Sequence, residues 1–228
     1  MLSQNALVIQ QPVEAAGQLI LLFHGVGSAP ESMAWLGGRL ATEFPKALVV
    51  SVAAPTRSDI ALGYQWFSVV AVTEDNRPAR IAEAMPSFVA CVADWQARAN
   101  VTAAATALVG FSQGAVMALE STKLATPLAS RVVAISGRFA TLPDAAPADV
   151  AVHMLHGKAD AVIPYSHTVN AAHRLRDLGC DVTADVLPFI GHEIHPELAE
   201  QVVIKLTTHI PQRIWASAME ASPTPQTG

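Results

Sequence analysis

A serine flanked by glycines, Gly110-Phe-Ser112-Gln-Gly114, stands directly after the apolar run Thr106-Ala-Leu-Val and directly before a segment of helical period. A serine hydroxyl is a weak nucleophile at neutral pH, and this setting supplies part of what it lacks. A sharp strand-to-helix turn lifts the side chain above a sheet, and the two glycines leave room where a Cβ would strike neighbouring backbone. The helix that follows aims unpaired N–H groups at any oxyanion forming beside the serine. Ser112 is therefore read as the nucleophile of an acyl transfer, with the N–H of Gln113 as one oxyanion donor.

The hydroxyl also needs a base, and the base an orienting carboxylate, in the chain order serine, acid, histidine. Asp160 follows the run Ala151 to Leu155 in His156-Gly-Lys-Ala-Asp160, at the end of a strand where loops collect ligands. Its bland alternative is a solvated turn or a helix cap. Of eight histidines, His192 in Phe189-Ile-Gly191-His192 fits the base, since it follows the last strand pattern and a glycine that permits a tight turn. His195 is its rival in the same loop. His153 and His156 lie on or just past a strand and point to opposite faces, and His167, His173 and His209 fall on helices. No third or fourth ligand accompanies His192 and His195, so no metal is read. A second oxyanion donor is expected from Val26 in His24-Gly-Val26-Gly27, where His24 is read as structural.

These groups must be carried by a sheet. Runs rich in Val, Ile and Leu at Ala6 to Gln10, Leu19 to Phe23, Ala47 to Val52, Thr106 to Gly110, Arg131 to Ser136, Ala151 to Leu155 and Asp181 to Leu187 alternate with helical patterns. The helices are expected at Glu31 to Phe44, Ala79 to Ala99, Gln113 to Leu124, Ser166 to Leu178 and Pro196 to His209, with Pro86 kinking or splitting the second. That alternation writes an α/β fold with a mostly parallel sheet. No stretch reads as a linker, so residues 1–215 are expected to form one domain. The polar, Pro-rich stretch 216–228 is expected to be disordered.

Composition closes other doors. With 228 residues, 51% hydrophobic and 14% charged, and a mean hydropathy of +0.34, the chain can bury a real core. Fourteen Lys and Arg against nineteen Asp and Glu offer no field for a phosphate backbone, so nucleic acid is not a partner. No apolar run approaches the roughly 20 residues of a membrane span. The first residues lack the basic start and apolar body of a signal peptide, which reads as cytoplasmic. Cys91 and Cys180 are isolated and are read as buried thiols.

The segments His24-Gly-Val-Gly27, Gly110-Phe-Ser-Gln-Gly114, His156-Gly-Lys-Ala-Asp160 with Ile163-Pro164, and Gly191-His192 resemble the phospholipase/carboxylesterase family of α/β-hydrolases, relatives of acyl-protein thioesterases. Gln65-Trp66-Phe67-Ser68 with Thr73-Glu-Asp-Asn76 resembles its bacterial small-esterase branch. The resemblance implies an α/β-hydrolase fold without a cap domain, with Ser112, Asp160 and His192 as nucleophile, acid and base. It implies Trp66 beside the acyl site, against the alternative that Trp66 only packs the loop. The implied activity is hydrolysis of short- to medium-chain acyl esters through an acyl-enzyme, without cofactor or metal, under at most the cover of Thr56 to Asn76. Alternatives on the same residues are an acyl thioesterase, a lysophospholipase, an amidase, or an inactive hydrolase-fold binding module. The partner implied is a small ester or thioester; a homodimer would need an exposed apolar face that sequence alone does not locate.

Overall fold

The computed structural model describes residues 5–212 and 214 of the chain. In chain order the elements are β1 (Ala6–Gln10), β2 (Gln18–Phe23), α1 (Ala34–Glu43), β3 (Ala47–Val52), β4 (Thr56–Arg57), β5 (Tyr64–Gln65) and α2 (Arg77–Ala99). They continue with β6 (Thr106–Phe111), α3 (Gln113–Ser121), β7 (Arg131–Ile135), β8 (Ala151–Gly157), α4 (Ser166–Asp177), β9 (Val182–Leu187) and α5 (Pro196–Thr208). One seven-stranded sheet runs in the order β1-β3-β2-β6-β7-β8-β9. Only β1 is antiparallel to its neighbour; every other pairing is parallel.

The unbroken apolar strands follow from this geometry, because a central parallel strand is covered on both faces. In β2, Leu19, Leu21 and Phe23 pack with Phe88 of α2 and Met117 of α3, while Ile20 and Leu22 pack with Leu36 of α1 and Leu198 of α5. The strand's two-residue period thus divides one run between two cores. Among the described residues no helix is long and apolar enough to cross a membrane. Both cysteines are buried and free, and burial pushes the Cys91 thiol up to about 12.

Two expectations need correction. Glu31 to Phe44 is not one helix: a 3₁₀ turn over Pro30–Met33 precedes α1. Pro86 does not split α2, which runs unbroken through Arg77–Ala99. Proline removes a bond to the carbonyl four residues back, here that of Ala82. Ala82 and Pro86 both lie on the exposed side of the helix, where water can serve that carbonyl. A further element, the β4–β5 hairpin, was not anticipated. The stretch 216–228, read as disordered, lies outside the described residues.

The sheet order brings β2 beside β6, and so Phe23 beside the turn that leaves β6. A Cβ at Gly114 would run into the carbonyl oxygen of Phe23, and one at Gly110 into the backbone of Gly114 and Ala115. Because the obstruction is backbone, Gly114→Ala forces α3 away from β2. The expected loss is about 2–3 kcal/mol of stability, read as a lower urea midpoint. The N–H of Gln113 should shift with the helix.

Candidate active site

Ser112 occupies the junction of β6 and α3 at φ 51°, ψ −118°, a left-handed backbone that side chains other than glycine adopt only when held there. The holding bonds are visible: Ser112 N–H donates to Ile135 O at 3.0 Å and Ser112 O accepts from Val116 N–H at 3.0 Å. The residue is 7% exposed and lines a cavity, so it is close-fitting without being sealed.

His192 arrives from the loop between β9 and α5. Its Nδ1 lies 2.7 Å from Asp160 Oδ2 and its Nε2 lies 2.8 Å from Ser112 Oγ. A carboxylate only accepts, so Nδ1 carries the proton and Nε2 is left free to accept from the hydroxyl. The Phe111 ring, with its centroid 5.0 Å from that of the imidazole, backs His192. The predicted reason for this loop's shape was wrong in detail. Gly191 has no left-handed φ and a Cβ there would meet nothing; the left-handed residue is Phe189, at φ 62°.

Asp160 is neither a solvated turn nor a helix cap. Its side chain is fully buried, Oδ1 accepts from the N–H groups of Val162 and Ile163 at 2.8 and 2.9 Å, and Oδ2 accepts from His192. Burial works to raise its pKa, but those hydrogen bonds outweigh it and hold the carboxyl below the usual range.

A second histidine reaches the same oxygen. His156, fully buried at the end of β8, has Nε2 at 3.1 Å from Asp160 Oδ2 and 2.8 Å from Ile163 O. Both are acceptors, so Nε2 bears the proton and Nδ1 accepts from the Thr168 hydroxyl at 2.8 Å. Burial lowers its pKa, which keeps it in this neutral form. No local pattern marks this role for His156; only folding brings Thr168 to its far side.

The rival His195 caps α5, accepting from Glu197 N–H at 3.3 Å, and has no contact with Ser112. His24 is structural: its ring bridges Gly25 O at 2.7 Å and Ala54 N–H at 3.2 Å, tying the loop after β2 to the end of β3. Beyond it Val26 sits before Gly27, whose φ is 77°. Val26 and Gln113 both line the cavity around Ser112. Neither N–H has a protein acceptor among the described residues.

That cavity is about 330 Å³ and is walled mainly by Val26, Ile60, Phe67, Val69, Val116 and Val162. Trp66 is not part of its wall. It is 5% exposed and its ring packs at 5.0 Å from Phe88 and 6.1 Å from Phe23, so the packing alternative for this residue describes where it lies. Its neighbour Phe67 lines the cavity instead. The loop is fixed by a contact the sequence did not disclose: Gln113 Oε1 accepts from Trp66 N–H and its Nε2 donates to Phe67 O, both at 2.8 Å. Gln113 therefore joins the elbow to the loop with its side chain as well as offering its N–H to the cavity. Arg77, Arg138 and His167 complete the wall, and none was picked out by sequence reasoning. Among the described residues no cluster of His, Cys, Asp or Glu could hold a metal ion.

Comparison with known proteins bears on this geometry. The family model described as Phospholipase/Carboxylesterase matches residues 4–210. Esterase YpfH of Escherichia coli (strain K12) is 44% identical over 218 residues, covering 96% of this chain and 94% of that protein. Acyl-protein thioesterase 1 of Gibberella zeae is 30% identical over 114 residues, covering 46% of this chain and 48% of its own. Among solved structures, esterase PE8 superposes with a TM-score of 0.77 at 30% identity, over 90% of this chain and 97% of that one.

Proposed function

The chain belongs to the phospholipase/carboxylesterase family of α/β-hydrolases, and from that premise we propose that it is a serine carboxylesterase acting on short- to medium-chain acyl esters. The observation that carries the reading is the unbroken hydrogen-bonded chain from Ser112 Oγ through His192 to Asp160, at 2.8 and 2.7 Å. His192 Nε2 takes the serine proton as Oγ attacks the ester carbonyl. The N–H groups of Val26 and Gln113 stabilise the tetrahedral oxyanion, and Asp160 holds the imidazolium that has formed. His192 then gives its proton to the departing alkoxide, leaving an acyl-Ser112 ester and free alcohol. Water enters, His192 takes its proton, and the second tetrahedral species collapses to carboxylic acid and regenerated serine.

Chain length is proposed from the cavity. A volume of about 330 Å³ lies at the low end of ligand pockets, which span roughly 300–1,000 Å³. Val26, Val69 and Val116 offer an apolar wall but no long tunnel. The test is a panel of p-nitrophenyl esters. Acetate and butyrate should be turned over readily, and kcat/KM should fall steeply beyond about eight carbons. A fluorophosphonate should label Ser112 in the same protein. Palmitate cleaved as fast as butyrate would overturn the chain-length limit, and absence of both labelling and turnover would overturn the esterase.

A further inference from the structure

The wall of the Ser112 cavity carries two cations. Arg77, first residue of α2, and Arg138, just past β7, both line it. Among the described residues the only carboxylate paired with them is that of Glu74: Arg138 Nη1 and Nη2 donate to it at 3.0 and 2.6 Å, and Arg77 Nη2 at 3.1 Å. Two guanidinium groups against one carboxylate leave a net positive charge at this wall.

The two arginines are not equally engaged. Arg138 spends Nε as well, donating to Phe139 O at 3.1 Å, so each of its three nitrogens is engaged. Arg77 has Nε buried with no hydrogen-bond partner among the described residues. That N–H is closed off from the cavity, and leaving it unpaired is costly; Arg77 Nη1 also has no hydrogen-bond partner among the described residues and belongs to a side chain 20% exposed on the wall beside the nucleophile. His167, on the same wall, likewise has no side-chain hydrogen bond among the described residues. The rest of the lining is largely valine, isoleucine and phenylalanine. The cavity therefore joins a serine held against an imidazole, an apolar lining and two guanidinium groups, of which that of Arg77 keeps Nη1 unspent. We infer that the substrate is an ester that carries a carboxylate on the part lying in this cavity, bound by Arg77. This rests on the esterase reading and narrows it to anionic esters, with a half-ester of a short dicarboxylic acid as the acyl-side form.

The test compares mono-4-nitrophenyl adipate with 4-nitrophenyl hexanoate, and 4-acetoxybenzoate with phenyl acetate, in the intact protein and in Arg77→Gln. The quantity read is the kcat/KM ratio of anionic to neutral ester within each pair. Arg77→Gln should lower that ratio by about 10- to 100-fold in one pair. A response in the adipate pair places the carboxylate on the acyl side, and one in the benzoate pair places it on the alcohol side. A second measurement needs no variant: adipate should compete with hexanoate ester hydrolysis while 1,6-hexanediol should not, and calorimetry should detect adipate bound to Ser112→Ala. Ratios that do not move, together with no preference for adipate over the diol, overturn the carboxylate site and leave the esterase standing. Adipate binding without turnover of any ester would overturn the esterase and leave the carboxylate site standing.

Discussion

Ser112→Ala is expected to lower kcat for p-nitrophenyl butyrate by roughly 10⁴- to 10⁶-fold. His192→Ala should cost a similar factor, and the double variant scarcely more than either. That non-additivity is the signature of groups acting as one unit: once the hydroxyl is gone, the imidazole 2.8 Å away has no proton to take. A residue of rate above water should survive, because the N–H groups of Val26 and Gln113 remain at the cavity wall. Stability separates this chemistry from mere structure. Ser112 holds φ at 51°, a conformation worth on the order of 1–3 kcal/mol of strain. Alanine keeps that strain, whereas Ser112→Gly relieves it. Both variants should be inactive, and the glycine variant should melt at the higher temperature. Losses that simply add in the double variant, or a glycine variant less stable than the alanine variant, would contradict the picture of a strained nucleophile served by one relay.

The sheet was readable because burial on two faces demands near-continuous apolar strands, and the runs at Leu19 to Phe23 and Ala151 to Leu155 have no other use in a chain of this length. The placing of Ser112, Asp160 and His192 around one spot was readable because loops at the carboxyl ends of parallel strands converge. What escaped was decided by contacts between distant segments. β4 and β5 are two residues each, too short to show a period. Trp66 and Phe67 are adjacent buried aromatics outside any regular strand, so alternation could not say which one lines the cavity. The answer comes from Phe23 and Phe88, which hold Trp66, and from Gln113, which holds the backbone of both. Arg77 and Arg138 meet only through Glu74, and no local pattern marks such a triplet. His156 looked like a strand residue because it is one; that its imidazole shares Asp160 Oδ2 with His192 depends on how the loop after β8 folds back.

Acid should unfold the protein through a different histidine, His153 of β8. It is fully buried, bonded at Nδ1 to Thr183 Oγ1 at 2.9 Å, and its Nε2 has no partner among the described residues. The His209 ring stands edge-on at 4.8 Å and is itself hydrogen-bonded to Asp181. Burial, then the charge His209 can carry, lower the His153 pKa to about 3, with Arg131 and Lys205 adding to the depression and Asp181 opposing it. In the unfolded chain the same group titrates near 6.5. Between those two values the unfolded state binds a proton that the native state refuses. Stability is therefore fully present above pH 6.5 and falls as pH drops toward 3, by up to roughly 4–5 kcal/mol in all, at about 1.4 kcal/mol per pH unit. Asp160, whose pKa is depressed from 3.8, adds to the loss only below that value. Urea unfolding at a series of pH values should show this slope, and His153→Leu combined with Thr183→Val, which leaves no hydroxyl without its partner, should flatten it by close to one proton between pH 6 and 4. An unchanged slope would mean that His153 does not govern acid stability.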